Sequence, residues 1–283
     1  MSKTEKIFSH KKAIITGGSK GIGKAVAIEF VKNGGSAYII ARNKKDLLAA
    51  AEEIQRACSS DTQNVIPLAC DTTDMKAFMP LLDDIIRKNG TPDYLMNFVG
   101  YARPAYVQDM TIDDFRKHMD TNYYGQLVPI LAMLPHFLRE RRGHIVNCSS
   151  LLGFMGIAGY AAYTPTKYAL CGLTESLRNE LKPYNIALSI LYPPDTETPG
   201  FEEENRSKPL EVMLMSETGG LLSPEQVAQK LIAGVVKKRF YIMPGQSRLL
   251  WSIARHFPRL AHVIMDGELK KARKKAAGKN KTR

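Results

Sequence analysis

The stretch that decides the fold is KAIITGGSKGIGKAVAIEFVKNG, Lys12 to Gly34. Lys12 to Thr16 reads as a short buried strand, and Gly21 onward has helical spacing that stops at a glycine. Between them Gly17, Gly21 and Gly23 give a G-x-x-x-G-x-G spacing. Glycines let the turn tighten and let a pyrophosphate approach the backbone, where the helix N-terminus supplies partial positive charge. A glycine triplet alone makes no more than a tight turn. Its place between strand and helix, at the head of a βαβ unit, points to a dinucleotide held by Gly17, Ser19, Lys20, Gly21, Ile22 and Gly23.

The alternation continues along the chain. SAYIIA (36–41), NVIPLAC (64–70), DYLMNFV (93–99), GHIVNCS (143–149) and NIALSILY (185–192) read as strands. Asn43 is a suitable N-cap for the helix that follows the second strand. Residues 74–89 predict another helix, and a further one opens near Ala161 and runs to about Lys182. Strands alternating with helices imply a parallel sheet covered on both faces. The expected fold is α/β, a Rossmann-type doubly wound sheet. It forms one domain over 1–245, with an amphipathic and basic C-terminal extension over 246–283.

Composition excludes several classes. The 283 residues are 44% hydrophobic and 24% charged, ordinary for a globular chain. No apolar run reaches the ~18–20 residues that span a bilayer. The N-terminus, MSKTEKIFSHKK, lacks the apolar core of an export signal. Cys58, Cys70, Cys148 and Cys171 form no CxxC pair and no metal spacing, so reduced thiols in a cytoplasmic setting are expected and no metal site is assigned. Of the formal charge of +12, Glu268 to Arg283 carries a net +7. The body shows no nucleic-acid-binding module, so no nucleic-acid partner is expected.

The residues after the second strand bear on which dinucleotide binds. An NAD site usually places Asp or Glu there to bond the ribose 2′-hydroxyl. This chain has Ala41-Arg42-Asn43, and Arg42, helped by Lys20 and Ser19, suits a 2′-phosphate instead. NADPH is therefore expected, the alternative being that both cations stand idle at the surface. Asp71, after the third strand, is placed either for the adenine edge or as a plain cap.

Ser150 ends a strand, and Tyr163 and Lys167 follow four residues apart on one helix face. Pro165 is tolerable there only in the helix's first turn. A nearby ammonium lowers a tyrosine pKa from its free value of ~10, making Tyr163 a proton donor to a carbonyl. Y-x-x-x-K alone is common and uninformative. Combined with the glycine loop and with a serine thirteen residues upstream, it resembles the short-chain dehydrogenase/reductase family, over roughly residues 10–245.

That resemblance implies roles. Tyr163 is the acid, Lys167 lowers its pKa and holds the nicotinamide ribose, and Ser150 polarises the carbonyl. Asn122, in DTNYYG, matches a helix asparagine that seats a water in a proton relay. Asn97 to Gly100, NFVG, stands where the family has N-N-A-G. Asn97 and Gly100 are kept while Phe98 and Val99 depart, so the strand-supporting role of Asn97 carries over. After the sixth strand Pro193 matches the family's proline, Pro194 replaces its glycine, and Thr198 aligns with a threonine that touches the cofactor. Thr196 lies in the same loop and is counted with it.

YPPDTETPGFEEENRSKPLE, from Tyr192, further resembles the branch of that family acting on 3-ketodihydrosphingosine. This implies NADPH-dependent reduction of the C3 ketone to dihydrosphingosine in sphingolipid biosynthesis, with a lid at about 200–218 enclosing a long-chain ketone lipid. Two alternatives stay open. One is reduction of another hydrophobic ketone (steroid, retinoid or 3-keto fatty acyl). The other is a non-catalytic cofactor-binding regulator, against which the intact Ser150, Tyr163 and Lys167 argue.

In RLLWSIARHFPRLAHVIM (248–265), Leu250, Ile253, Phe257, Ala261 and Ile264 recur at three and four, and Pro258 kinks or divides the helix. With the lysine-rich end this fits a peripheral membrane contact, each cation contributing ~1 kcal/mol at an anionic surface. The other reading packs the apolar face on the domain or on a second copy of the chain. The family's habits imply a homo-oligomer and, in a eukaryote, the cytoplasmic face of the endoplasmic reticulum.

Overall fold

A computed structural model describes residues 6–216 and 220–281, with side chains described as far as Gly278. The expected lid end, Glu217 and Thr218, and the last basic residue, Arg283, lie outside the described residues. Lys279 and Lys281 fall in the stretch whose side chains are not described.

The glycine loop sits between β1 (Lys12–Thr16) and α1 (Gly21–Lys32), the boundaries read from sequence. β2 (Ser36–Ala41) leads to α2 (Lys44–Arg56), capped where Asn43 accepts from the Asp46 N–H at 3.1 Å. β3 (Val65–Ala69), α3 (Met75–Asn89) and β4 (Tyr94–Asn97) follow. Next come α4 (Ile112–Met119), α5 (Gly125–Glu140) and β5 (Gly143–Cys148). Between α4 and α5 the helix widens into a π turn at Asp120–Tyr124. α6 (Thr164–Leu181) and β6 (Ile186–Leu191) complete the elements read from sequence. The strands form one parallel sheet in the order β3-β2-β1-β4-β5-β6-β7, closed by the two-residue β7 (Tyr241–Ile242), which is too short for any periodicity to announce. Pro67 lies in β3, an edge strand, where its missing N–H is tolerated.

Alternate residues of the central strands face opposite layers. Ala13, Ile15, Ile39, Met96 and Val146 pack with α1, α2 and α9 (Pro224–Val236). Ile14, Ile40, Leu95, Ile145 and Leu188 pack with α3, α5 and α6. Each fully buried aliphatic side chain contributes about 1.5–3 kcal/mol, and both faces are covered, so the strands read as unbroken apolar runs. The strand order reverses between β1 and β4, which opens a crevice at the C-terminal strand ends beside the glycine loop.

Beyond β6 the chain forms α7 (Pro199–Ser207) and α8 (Leu210–Ser216), the described part of the expected lid. α10 (Ser247–His256) and α11 (Pro258–Lys281) are divided at Phe257, with Pro258 at a first helical position where it is tolerated. The basic end continues α11 as helix. Ala272 and Ala276 lie on one face and pack against Leu214 of α8. Among the described residues no helix is long and apolar enough to cross a membrane.

Candidate active site

The loop at the head of α1 is shaped for something to lie against bare backbone. Gly17 has φ +69°, and a Cβ there would stand 2.8 Å from the Phe98 carbonyl carbon. At Gly23 a Cβ would meet the Gly17 carbonyl oxygen at 2.3 Å, so Gly23 allows the helix to start tight against the loop. Gly21 has φ +54°, and its missing Cβ leaves the methyl of Thr198 just enough room. Ser19 is half-buried, Lys20 precedes the helix with its ammonium 2.6 Å from Asp46, and Ile22 packs into the core beneath. The loop therefore fits a pyrophosphate, with the first N–H groups of α1 free of intrahelical partners.

At the end of β2, Arg42 is exposed and its guanidinium lies 3.7 Å from Asp71. Asp71 spends its other carboxylate oxygen on the N–H and hydroxyl of Thr73, both at 2.9 Å. Burial pushes the Asp71 pKa up, but those bonds and the Arg42 charge outweigh it and hold it below the usual range. Asp71 thus serves as a turn cap and as a partner of Arg42.

Polar side chains tie the strand ends together. Buried Asn97 accepts from the Thr16 hydroxyl at 3.1 Å and donates to Asn147 at 3.1 Å, and Asn147 donates to Thr174 of α6 at 3.0 Å. These bonds link β1, β4, β5 and α6. Gln126, which no sequence pattern marks, donates to the Val99 and Cys148 carbonyls and accepts from the Cys148 N–H. A Cβ at Gly100 would stand 3.2 Å from the Asn122 oxygen and 3.4 Å from the Lys167 ammonium nitrogen. Asn122, in the π turn, bonds the Tyr101 backbone in both directions and donates to Thr166 at 3.1 Å. Thr166 in turn donates to the Tyr163 carbonyl at 2.7 Å. The side chain of Asn122 therefore positions the start of the α6 helix.

Tyr163 occupies the position just before α6, with Pro165 in the first turn. Lys167 is buried, with its Nζ 5.5 Å from the Tyr163 ring centroid and donating to the Cys148 carbonyl at 3.0 Å. Ser150 begins a short turn in which its hydroxyl accepts from the Leu152 N–H at 3.2 Å. The Leu151 N–H reaches the Pro193 carbonyl, joining this turn to the proline loop. The expectation of a lowered phenol pKa is not what this arrangement gives. Burial first, then the Glu204 carboxylate, push Tyr163 well above its usual range, and Ser150 opposes them only in part. Burial also lowers the Lys167 pKa. The phenol is thus held protonated, the form that donates to a carbonyl.

In the proline loop the residues divide. Thr198 caps α7 by accepting from the Phe201 N–H at 3.0 Å, and it abuts Gly21 at the glycine loop. Thr196, expected to touch the cofactor, is buried, and its hydroxyl donates to the Pro194 carbonyl at 2.8 Å. It fastens the loop from inside. Above Tyr163 lies an apolar wall of Leu152, Tyr160 and Val212, flanked by Ala102 and Ile157. A cavity of about 300 Å³ opens beside it, lined by Ile157, Tyr160, Met215, Met265 and Leu269 among others. Sequence reasoning missed Tyr160, Glu204 and Lys208. They sit on two segments, Tyr160 before α6 and the i,i+4 pair Glu204 and Lys208 along α7 and its cap, and nothing in the sequence announces that α7 folds over Tyr160.

The short chain dehydrogenase family model matches residues 11–209. The chain belongs to that family. Similar curated proteins include 3-dehydrosphinganine reductase of Danio rerio, 40% identical over 80% of this chain and 69% of that protein. A 3-ketodihydrosphingosine reductase of Bos taurus is 39% identical with the same coverage. Among solved structures, a 3-oxoacyl-[acyl-carrier protein] reductase from Brucella melitensis with bound NAD superposes with a TM-score of 0.69. It is 26% identical over 83% of this chain and 90% of that one.

Proposed function

We propose that this dehydrogenase reduces the C3 ketone of 3-ketodihydrosphingosine to dihydrosphingosine, the ketone-reduction step of sphingolipid biosynthesis, with NADPH. The observation that carries the reaction type is the partly buried Tyr163 beside Ser150 and the buried Lys167, facing an apolar wall at the strand ends. The printed activities of the relatives from Danio rerio and Bos taurus support the substrate. Bound NAD in the Brucella protein supports a nicotinamide dinucleotide. Arg42 and Lys20 at the end of β2 and the head of α1 favour the phosphorylated form.

The residues divide the work as follows. The glycine loop would hold the pyrophosphate, and Arg42, Lys20 and Ser19 the 2′-phosphate. When bound, the reduced nicotinamide supplies a hydride. Ser150 Oγ donates a hydrogen bond to the ketone oxygen, and Tyr163 Oη gives that oxygen its proton. Lys167 stabilises the phenolate left behind. Leu152, Val212 and Ile157 exclude water and receive the alkyl chain. Tyr163→Phe should lower kcat by about 10²–10⁴ while NADPH binding stays within about twofold. Undiminished turnover of 3-ketodihydrosphingosine by this variant would sink the proposal. A panel that adds steroid, retinoid and 3-keto fatty acyl carbonyls separates the neighbouring substrate readings.

Peripheral contact with a membrane belongs to the same reading, at the cytoplasmic face of the endoplasmic reticulum in a eukaryote. Leu249, Phe257, Leu260, Val263 and Ile264 are exposed, and Arg248, Arg255, Arg259, Lys270 and Lys271 stand around them. Such a face suits an anionic bilayer. Co-sedimentation with phosphatidylserine vesicles should fall at least about tenfold for Leu260→Glu/Val263→Glu. If the wild type ignores vesicles and instead dimerises through this face, a second copy of the chain is its partner.

A further inference from the structure

Two carboxylates act on Tyr163: Glu204 of α7, and Asp195 of the loop whose Pro193 carbonyl accepts from the Leu151 N–H beside Ser150. Among the described residues, Lys208 is the cation paired with them. Glu204 of α7 accepts a hydrogen bond from the Tyr160 hydroxyl, and the Tyr160 ring lies 5.9 Å from the Tyr163 ring. Glu204 is therefore one aromatic ring away from the reacting phenol. Asp195 sits in the loop that leaves β6. That loop is fixed by the Leu222 N–H on the Asp195 carbonyl at 3.0 Å and by the Thr196 hydroxyl on Pro194. The Asp195 carboxylate accepts no hydrogen bond from any described residue. The cation acting on both is Lys208, and it is already committed. Its side chain is wholly buried, 3.2 Å from Glu204, 3.3 Å from the Ser216 hydroxyl and 4.6 Å from the Phe201 ring centroid.

We propose that Asp195, with Glu204 behind it, receives an ammonium group of the substrate, so that the ketone favoured at Tyr163 is one with a protonated amine on the neighbouring carbon. This rests on the reading above, because 3-ketodihydrosphingosine carries its amine on C2, next to the C3 carbonyl. A half-buried site with two carboxylates and one ammonium holds an uncompensated negative charge, which is costly away from water. Burial pushes the Asp195 pKa up to about 6 although Lys208 acts against it, and Glu204 adds to the rise, so a further cation there would be favoured. An ammonium placed there neutralises the site while its carbonyl meets Ser150 and Tyr163. The carboxylates that raise the Tyr163 pKa are then compensated, so the phenol becomes the better acid when the amine-bearing ketone is bound. A ketone without the amine leaves Asp195 unpaired and is disfavoured. Selectivity therefore lies in the loop and lid, apart from the glycine loop and the tyrosine–lysine pair.

The test uses the full chain with NADPH and two ketones of equal length, 3-ketodihydrosphingosine and its analogue lacking the 2-amino group. Wild type should favour the amino ketone in kcat/KM by about 10- to 100-fold, the value of one charge-assisted hydrogen bond. In Asp195→Asn that ratio should fall toward unity through KM, and Glu204→Gln should lower it as well. A second measurement needs no turnover. Calorimetric binding of a short-chain dihydrosphingosine, against the corresponding diol without nitrogen, should show the same preference in wild type and its loss in Asp195→Asn. If both ligands bind equally to wild type, or Asp195→Asn weakens both alike, the ammonium subsite is overturned. If the amine preference depends on Asp195 while neither ketone is reduced, the subsite stands and the proposed reaction falls.

Discussion

Arg42 offers the sharpest test of the cofactor preference, because its surroundings set both the gain and the cost. Among the described residues the guanidinium is paired with Asp71, 3.7 Å away, with Arg42 exposed and Asp71 partly so. An exposed pair of this kind is worth about 0–1 kcal/mol, so a phosphate displaces it cheaply. A charge-assisted bond to a phosphate contributes about 1.5–3 kcal/mol, and each 1.4 kcal/mol is tenfold in affinity. Arg42→Ala should therefore weaken NADPH binding by about 10- to 100-fold. NADH has a hydroxyl where NADPH has its phosphate, and its affinity should move by less than about threefold. Titrating each reduced dinucleotide by its fluorescence reports the two constants without substrate or turnover. Raising the salt concentration should shrink the NADPH effect and leave NADH untouched. Equal weakening of both dinucleotides would show that Arg42 supports the loop rather than the phosphate, and the preference for NADPH would lose its basis.

Gly23→Ala puts a methyl 2.3 Å from the Gly17 carbonyl oxygen, a backbone contact that cannot rotate away. Overpacking of this kind costs about 1–3 kcal/mol. At about 2–4 °C per kcal/mol the Tm should drop measurably, and dinucleotide binding should weaken at least about tenfold. With pH, the ketone-reducing rate should fall on the alkaline side. The Lys167 pKa is lowered by burial, so it loses its charge before Tyr163, whose pKa burial raises. A rate that rose steadily with pH would contradict a protonated phenol as the donor.

The frame of the molecule was readable because both layers of the sheet are buried. Strands 12–16 and 36–41 have sequence boundaries that match the structure residue for residue, since each is a short apolar run cut by glycine or a cap. The Ser150, Tyr163 and Lys167 set was readable because strand end and helix start fix their separation. Thr196 shows the limit. Its position beside the cofactor loop was legible, but the direction of its hydroxyl depends on Pro194, two residues away in a turn that sequence spacing does not describe. The phenol shows a second limit. Lys167 lies on the same helix face as expected, yet burial and a carboxylate forty-one residues further along the chain decide the sign of the shift. Glu204 and Lys208 pair by simple i,i+4 spacing, but they meet Tyr160 only because α7 folds back over the site, and no periodicity records that return.

The C-terminal helices answer a question that sequence periodicity posed in the wrong form. Leu250, Ile253, Phe257, Ala261 and Ile264 looked like one stripe that must face either the domain or a membrane. A helix turns ~100° per residue, so Leu260, Val263 and Ile264 fall on one side of α11 and Met265, Leu269, Ala272 and Ala276 on the other. The second group lines the cavity beside Tyr160 or packs on Leu214, while the first is exposed. Ala261 is buried and Ile264, three residues on, is exposed, so the apparent stripe mixed residues from two faces. The outward face continues past Gly267 into Lys271 and Lys274, passing from apolar to cationic along one line. A single helix thus walls the cavity on one side and offers an apolar-to-cationic face on the other, so that, under the proposed membrane reading, an alkyl ketone would have a short path from a lipid surface to the phenol.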